Sequence, residues 1–322
     1  DVLLLNEFDY DSEGKGIAAF QKNFLGVAQN DQKPINYPYV YFAGVNTGMA
    51  TGIDLDGDGE KGTGNDCYGF GRYPGQYAMV VLSRFPIDES GTRTFQKFLW
   101  KDMPDHLMPK QVGTDQPFYS EQATKIFRLS SKSHWDVPIK IGEQTIHFLV
   151  AHPTPPVFDE AEDRNGRRNH DEIRMFTDYI SPGKADYLYD DNGKQGGLPK
   201  DAKFVIAGDM NADPFDGDSS RGAAKQLTEH KLINHSVSPT SAGGPHYAKS
   251  QGQKNNDHQG PAATDTGDFR DSNVGNLRLD YCLPSKNLQI IQAGVFWPVP
   301  GAPGAKLVPA TDHRLVWIDL KK

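Results

Sequence analysis

Four short apolar runs, each with a carboxylate or an imidazole at one end, constrain this chain more than any other feature. Glu7 follows "LLLN", His152 follows "HFLVA", Asp209 and Asn211 follow "FVIAG", and Asp312 and His313 immediately precede "RLVWIDL". A short apolar run that stops at an acid reads as a buried strand delivering that acid to a surface. Asp280 lies inside a further run, "LRLDYCLP" (277–284), and "QYAMVVLSR" (76–84) is another run of the same kind. All are short and rich in Val, Ile, Leu and aromatic residues, as strands are. If such strands pair antiparallel and in register, their polar ends converge, and strand ends that carry loops are a common place for chemistry.

Helical patterns lie between the runs. Ile17, Phe20 and Phe24 recur at helical spacing in "GIAAFQKNFL", as do Ile173, Phe176 and Ile180 in "NHDEIRMFTDYI". In the second, Asn169 and Glu172 are set as a capping-box-like start. A third helix is predicted through "RGAAKQLTEHKLI" (221–233). The stretches 44–75 and 236–276 are polar, rich in Gly, Asp and Asn, and read as long loops. Strands mixed with a few helices predict an α+β fold or a layered α/β sandwich. No linker divides the 322 residues, so residues 1–322 are expected to form a single domain. The formal net charge of −8 provides no global basic field for nonspecific nucleic-acid binding. No run approaches the roughly 18 apolar residues of a transmembrane helix. The two cysteines, Cys67 and Cys282, have no metal-ligand spacing. Sequence leaves open whether they form a disulfide or stay as two free buried thiols.

Several carboxylates with an amide make an oxygen-rich site for a hard cation such as Mg²⁺ or Mn²⁺. A cation held that way neutralises phosphoryl oxygens and a leaving group. Histidines beside it serve as acid, base or phosphate donor. The set as a whole suits phosphate ester hydrolysis. "GDMNADP" (208–214) carries the most weight: Gly208 allows a tight turn, Asp209 and Asn211 can face one pocket, and Pro214 stops the strand.

On these residues the chain resembles the endonuclease/exonuclease/phosphatase family of metal-dependent phosphoesterases. "DVLLLNE" is similar to the family strand that ends in a metal-binding Glu, and "QYAMVVLSRFPI" to its "NAILSR.PI" strand. "FLVAHPTPP" resembles the strand that ends in a catalytic His, and "VIAGDMNADP" the "GD.N" motif. "RLDYCLPS" and "TDHRLVWIDL" resemble the "RLDY" and "SDH.PV" segments. The resemblance implies a four-layer α/β/β/α sandwich of two packed mixed sheets flanked by helices. It also implies roles: Glu7 and Asp312 on the metal, Asp209 activating water, and Asn211 holding phosphate or a metal-bound water. His313 would act beside the phosphoryl group, oriented by Asp280, and His152 would donate to a phosphate oxygen. The sequence departs from the pattern in two places. The family's first strand, with its Asn, and first helix have no counterpart before Asp1, so a truncated or incompletely registered form of a longer protein is expected. In deoxyribonucleases a Glu before the "AILSR"-like strand holds the His, whereas Gly75 and Gln76 stand here.

"DLDGDGEKGTGND" (54–66) is similar to the start of a calcium loop, with Asp54, Asp56 and Asp58 at alternate positions followed by Gly59. Its twelfth position is Asn65 instead of a bidentate Glu, and a solvated Asp/Gly turn is the alternative. Arg167 and Arg168, within "RNGRRNHDEIR" (164–174), are candidate phosphate contacts. "HYAKSQGQKNNDHQG" (246–260) reads as a flexible loop, and Phe296 and Trp297 in "VFWPVPGAP" as candidate apolar loop-tip residues. The expected function is hydrolysis of a phosphate ester, most simply a diester, with Mg²⁺ or Mn²⁺ and structural Ca²⁺ as cofactors. Nucleic acid, a lipid headgroup and a small ester are all open as substrates, and no protein partner is implied. The alternative is a non-catalytic calcium-binding surface module with a degenerate pocket. An extracellular or periplasmic location fits the calcium-type loop better than a cytoplasmic one.

Overall fold

A computed structural model describes residues 1–29 and 31–321. In chain order the strands are β1 (Val2–Asn6), β2 (Tyr39–Tyr41), β3 (Met79–Ser83), β4 (Arg93–Thr94), β5 (His134–Ile141), β6 (Gln144–Ala151) and β7 (Lys203–Asp209). They continue with β8 (Gly267–Asp268), β9 (Asn276–Leu277), β10 (Asp280–Pro284), β11 (Ile290–Val295) and β12 (Val316–Leu320). The helices are α1 (Lys15–Phe20), α2 (Glu121–Ile126), α3 (Arg164–Ile180), α4 (Lys225–Thr228) and α5 (Gly243–Gln251).

Alternation along the strands builds the layers. In β3, Met79 and Val81 face one core while Val80 and Leu82 face another, and in β1 Val2 and Leu4 part from Leu3 and Leu5 in the same way. β1, β3 and β2 form an antiparallel sheet in that order. A mixed sheet runs β10-β7-β6-β5-β4, in which only β6 and β7 are parallel. Its Phe148, Val150, Val205 and Ala207 share the central core with Met79 and Val81, so the two sheets pack face to face. On the outer face of the mixed sheet, Leu149, Ala151, Phe204 and Ile206 pack against Ile173, Phe176 and Tyr179 of α3. On the outer face of the small sheet, Val80 and Leu82 pack against Ile17 of α1. The result is the four-layer α/β/β/α sandwich, its smaller sheet wholly antiparallel.

Several local expectations are corrected. Asn169 and Glu172 do not cap a helix. They are buried in the middle of α3, which begins at Arg164. The helix expected over 221–233 shortens to Lys225–Thr228, and the supposed loop 246–260 instead carries most of α5 and a 3₁₀ turn at Gln253–Asn256. β5 alternates His134, Asp136, Pro138 and Lys140 with Trp135, Val137, Ile139 and Ile141 at the strand period, but it carries a proline and lacks the continuous apolar run by which the other strands are read. Trp297 is 1% exposed under the Arg314 guanidinium and is no loop tip. Cys67 and Cys282 are free thiols.

Gly208 does more than permit a turn. It lies within β7 at φ 153°, and a Cβ there would sit 2.0 Å from the Ala151 carbonyl oxygen of β6. Only glycine lets the two strands approach just before His152 and Asp209. Gly208→Ala is expected to lower stability by about 3 kcal/mol. An unshifted urea midpoint would contradict this packing argument.

Candidate active site

Topology explains why the polar strand ends meet. β6 and β7 are parallel, so their C-terminal ends, with His152 and Asp209, lie at the same edge. β10 runs antiparallel to β7 with Asp280 directly opposite Asp209, so the start of β10 lies at that edge too. His313 comes in ahead of β12 through a bridge to Gly267. Its Nδ1 is 2.8 Å from Asp280 Oδ2, and its Nε2 is 3.8 Å from Asp209 Oδ2. His152 Nε2 approaches the same Asp209 oxygen at 3.4 Å. Asp209 Oδ1 accepts the Asn211 backbone N–H at 2.8 Å, and the Asn211 side-chain amide donates to Pro153 O at 3.1 Å. Two site residues, Glu7 at φ 57° and Asn211 at φ 50°, adopt the left-handed conformation, a form of strain typical of functional sites.

The electrostatics separate the three central groups. Burial, helped by Asp280, pushes the Asp209 carboxyl up to about 7. Burial works against a charge on His313, but the Asp280 hydrogen bond and the surrounding carboxylates prevail and raise it to about 10. His152 is pushed well below its ordinary value by burial, with Lys132 and His313 adding to the effect, so its imidazole is neutral. His152 Nδ1 has no hydrogen-bond partner among the described residues, and Gln76 spends its side-chain oxygen on the Arg72 N–H. The geometry thus agrees with the lack of a His-holding Glu before β3.

Sequence reasoning missed the residues that support this constellation. Glu172, fully buried on α3, accepts the backbone N–H of Ser131 at 2.6 Å and of Thr154 at 2.7 Å. Asn169, one turn earlier, donates to the carbonyls of Thr154 and Met210, both at 2.8 Å. The polar face of α3 therefore clamps the two chain segments that leave β6 and β7 beside His152 and Asp209. Lys132 is only 6% exposed, yet it lines the same cleft, with Nζ 3.4 Å from Pro153 O. Burial lowers its pKa, while Glu172, Asp209 and Glu7 oppose that shift. A single Lys in "SSKSHWD" carries no signal in sequence; only the fold makes it an internal cation.

Lys132, His152, Asp209, Asn211 and His313 line a cleft of about 770 Å³, with Asp280 behind His313. Glu7 and Asp312 lie on its wall, both exposed, apart from the tight trio of Asp209, Asp280 and His313. The trio offers one ligand atom each within 4.8 Å of one another. His313 donates its Nδ1–H to Asp280, and while its raised pKa keeps Nε2 protonated as well, the imidazolium cannot ligate. Within the trio the oxygen donors for a hard cation are Asp209 and Asp280, while Glu7 and Asp312 line the cleft outside the trio's ligand spacing. The two arginines are less favourably placed. Arg168 lines the cleft but gives its guanidinium to the carbonyls of Leu129, Tyr68 and Arg128. Arg167 does not line it and donates to Glu162 O.

The sequence profile of the Endonuclease/Exonuclease/phosphatase family matches residues 1–313. The chain belongs to this family. Similar solved structures include an endonuclease/exonuclease/phosphatase from Beutenbergia cavernae (TM-score 0.48, 15% identity), with 100% of this chain and 62% of that chain covered. A family protein from Leptotrichia buccalis matches with TM-score 0.48 and 13% identity over 100% of this chain and 87% of that one. Sphingomyelinase C from Streptomyces griseocarneus matches with TM-score 0.45 and 15% identity over 99% and 82%. The chain thus spans less than two thirds of the Beutenbergia protein's length. No curated protein matches its sequence significantly.

Proposed function

We propose that the protein is a metal-dependent phosphodiesterase. The observation that carries this reading is the Asp209–Asp280–His313 constellation, whose Asp209 and His313 face a cleft that also presents Lys132, His152 and Asn211. Asp209 takes the proton of the attacking water. His313, kept protonated by Asp280, gives its proton to the leaving oxygen. Neutral His152 and the Asn211 amide donate to the non-bridging oxygens. Mg²⁺ or Mn²⁺ held at Asp209 would supply charge neutralisation at the phosphoryl group. The cleft is lined well beyond this trio, by Phe269 and Leu277 on the β8–β9 side and by Tyr119 and Phe127 on the α3 side. That leaves room for an organic group on each side of the phosphorus, as a diester requires. Hydrolysis of bis-p-nitrophenyl phosphate with Mg²⁺ or Mn²⁺, against an EDTA blank, tests the reading. Metal-dependent turnover is expected. A chain inert with both metals would speak instead for a calcium-binding module with a degenerate pocket.

The acidic loop is assigned a structural Ca²⁺. Asp54, Asp56 and Asp58 place ligand atoms within 4.8 Å of one another, and Asp54 accepts the N–H groups of Gly57 and Gly59. Burial and the neighbouring Asp58 push the Asp56 carboxyl up, a cost that a cation removes. Without a bidentate Glu, a dissociation constant of about 10⁻⁴–10⁻³ M is expected by calorimetry. Absence of heat at millimolar calcium, or binding unaltered by Asp56→Asn, would remove the site.

A further inference from the structure

Of the Asp209–Asp280–His313 trio, only His313 lies outside a strand. It sits in the short segment 311–314, between a 3₁₀ turn at Ala305–Ala310 and β12. A catalytic side chain is held only as well as the residues behind it are held. The backbone does part of this: the Asp268 N–H donates to Asp312 O at 2.8 Å, and the Arg314 N–H to Thr266 O at 2.7 Å. One side chain does the rest. Arg314 turns back on its own segment. Its Nη1 donates to the carbonyls of Thr311 and His313, the second at 3.1 Å, and its Nη2 to Asp268 Oδ2 at 2.8 Å. Gln251 of α5 fixes Asp268 in turn, donating to its other oxygen at 2.8 Å.

Packing alone does not ask for an arginine here. Arg314 is 6% exposed, and its guanidinium lies 4.5 Å from the centre of the Trp297 ring, which packs with Val295 and Val308. Its Nε is sealed from water and has no partner among the described residues. A buried guanidinium with an unmet donor is costly, and an apolar side chain would spare that cost. The charge is explained by what it gathers. The two carbonyls on one Nη1 flank Asp312, so residues 311–313 bend around the guanidinium, and the bend fixes where the His313 side chain leaves the backbone. Lysine would not substitute, because a point charge lacks the fixed fork that serves both carbonyls and Asp268. Arg314 does not line the cleft, so it touches no substrate and acts through His313.

We propose that Arg314 is a positioning residue for proton donation. Held from behind, His313 keeps Nδ1 on Asp280 and aims Nε2 at the oxygen that leaves the phosphorus. As the P–O bond breaks, the Nε2 proton passes to that oxygen. Without Arg314 the imidazole is still present but no longer aimed. The inference rests on the phosphodiesterase reading, in which His313 is the acid.

Two diesters separate lost aim from general structural damage. In methyl p-nitrophenyl phosphate the leaving group departs without a proton; in methyl phenyl phosphate the more basic leaving group needs one. Arg314→Met keeps the stem and removes the guanidinium. It is expected to lower kcat on the phenyl ester about a hundredfold and on the nitrophenyl ester by less than about fivefold, with KM unchanged. Arg314→Lys should recover little of the loss. Added to His313→Ala, Arg314→Met should cost nothing more. Equal losses on the two esters, or a further loss beyond that of His313→Ala, would overturn the proposal. Should Arg314→Met fold poorly, Asp268→Ala, which removes the outer anchor of the guanidinium at a half-buried position, is judged by the same two esters. If the wild-type chain hydrolyses neither ester, the phosphodiesterase reading fails on its own, and NMR decides the placement. The His313 and Phe269 rings meet edge-on at 5.6 Å, so cross-peaks between them should be strong in the wild type and absent in Arg314→Met. Cross-peaks of equal strength in both would refute it.

Discussion

His313→Ala is expected to lower kcat on a diester by about three orders of magnitude, close to 4 kcal/mol of transition-state stabilisation. The size follows from the geometry. His313 is the cation of the floor: Asp280 holds its Nδ1 at 2.8 Å, and its Nε2 faces Asp209 at 3.8 Å. Alanine removes the proton that the leaving oxygen needs and leaves two neighbouring acids, Asp209 and Asp280, without their cation. The pH profile separates this role from a structural one. Asp209 acts after losing its proton, so the rate rises with pH on the acid limb, which a bound cation places below the value of about 7 that Asp209 has without metal. His313 acts while it keeps its proton, so the rate falls through about 10. The variant should lose the alkaline limb as well as the rate. A stability effect of the same sign accompanies it. The folded pKa of His313 lies above its ordinary 6.5, so its contribution is complete below that pH and fades as pH rises to about 10. A variant within tenfold of wild type, with the alkaline limb intact, would overturn the assignment.

Lys132→Met should cost about 10²–10³ in kcat, the loss seen when one preorganised donor to a developing oxyanion is removed. Lys132 has three N–H donors and spends one, on a long 3.4 Å bond to Pro153 O. The others remain for a phosphoryl oxygen in a cleft where little water competes. Methionine keeps the length and apolar stem while removing the charge, so packing against the surrounding chain is retained. Glu172 stays bonded to the Ser131 and Thr154 N–H groups, which limits the cost to folding. The loss should appear in kcat with KM moving little, because the donor acts on charge that develops during reaction. A rise in KM at constant kcat would make Lys132 a ground-state binder instead. Activity within threefold of wild type would exclude it from the site.

What could be read without the fold is the set of groups that end strands. Glu7, His152, Asp209 and His313 each flank a short Val/Ile/Leu run, and a strand's two-residue period leaves its hydrophobic ladder legible wherever it lies in the chain, whereas Asp280 reads as lying inside its run and only the fold places it at the start of β10. The motif "GDMNADP" was legible for the same reason, because Gly, Asx and Pro mark where a strand must stop. Reading failed where residues act against their local type. Lys132 and Glu172 are charged residues in polar stretches, and nothing local distinguishes a solvated pair from one buried around Ser131 and Thr154. Asn169 looks like a helix cap until α3 is seen to begin at Arg164. Tyr119 and Phe127 read as ordinary core residues; that they border open space depends on the loop at 155–158. The order of polar strand ends was determined by the sequence alone, because hydrophobic period and turn chemistry are local. Their meeting at one edge was decided by tertiary structure: β6 and β7 run parallel, β10 runs against them with Asp280 opposite Asp209, and Gly208 lets β7 close on Ala151. Strand pairing and close backbone approach are long-range, so no short stretch of chain encodes them.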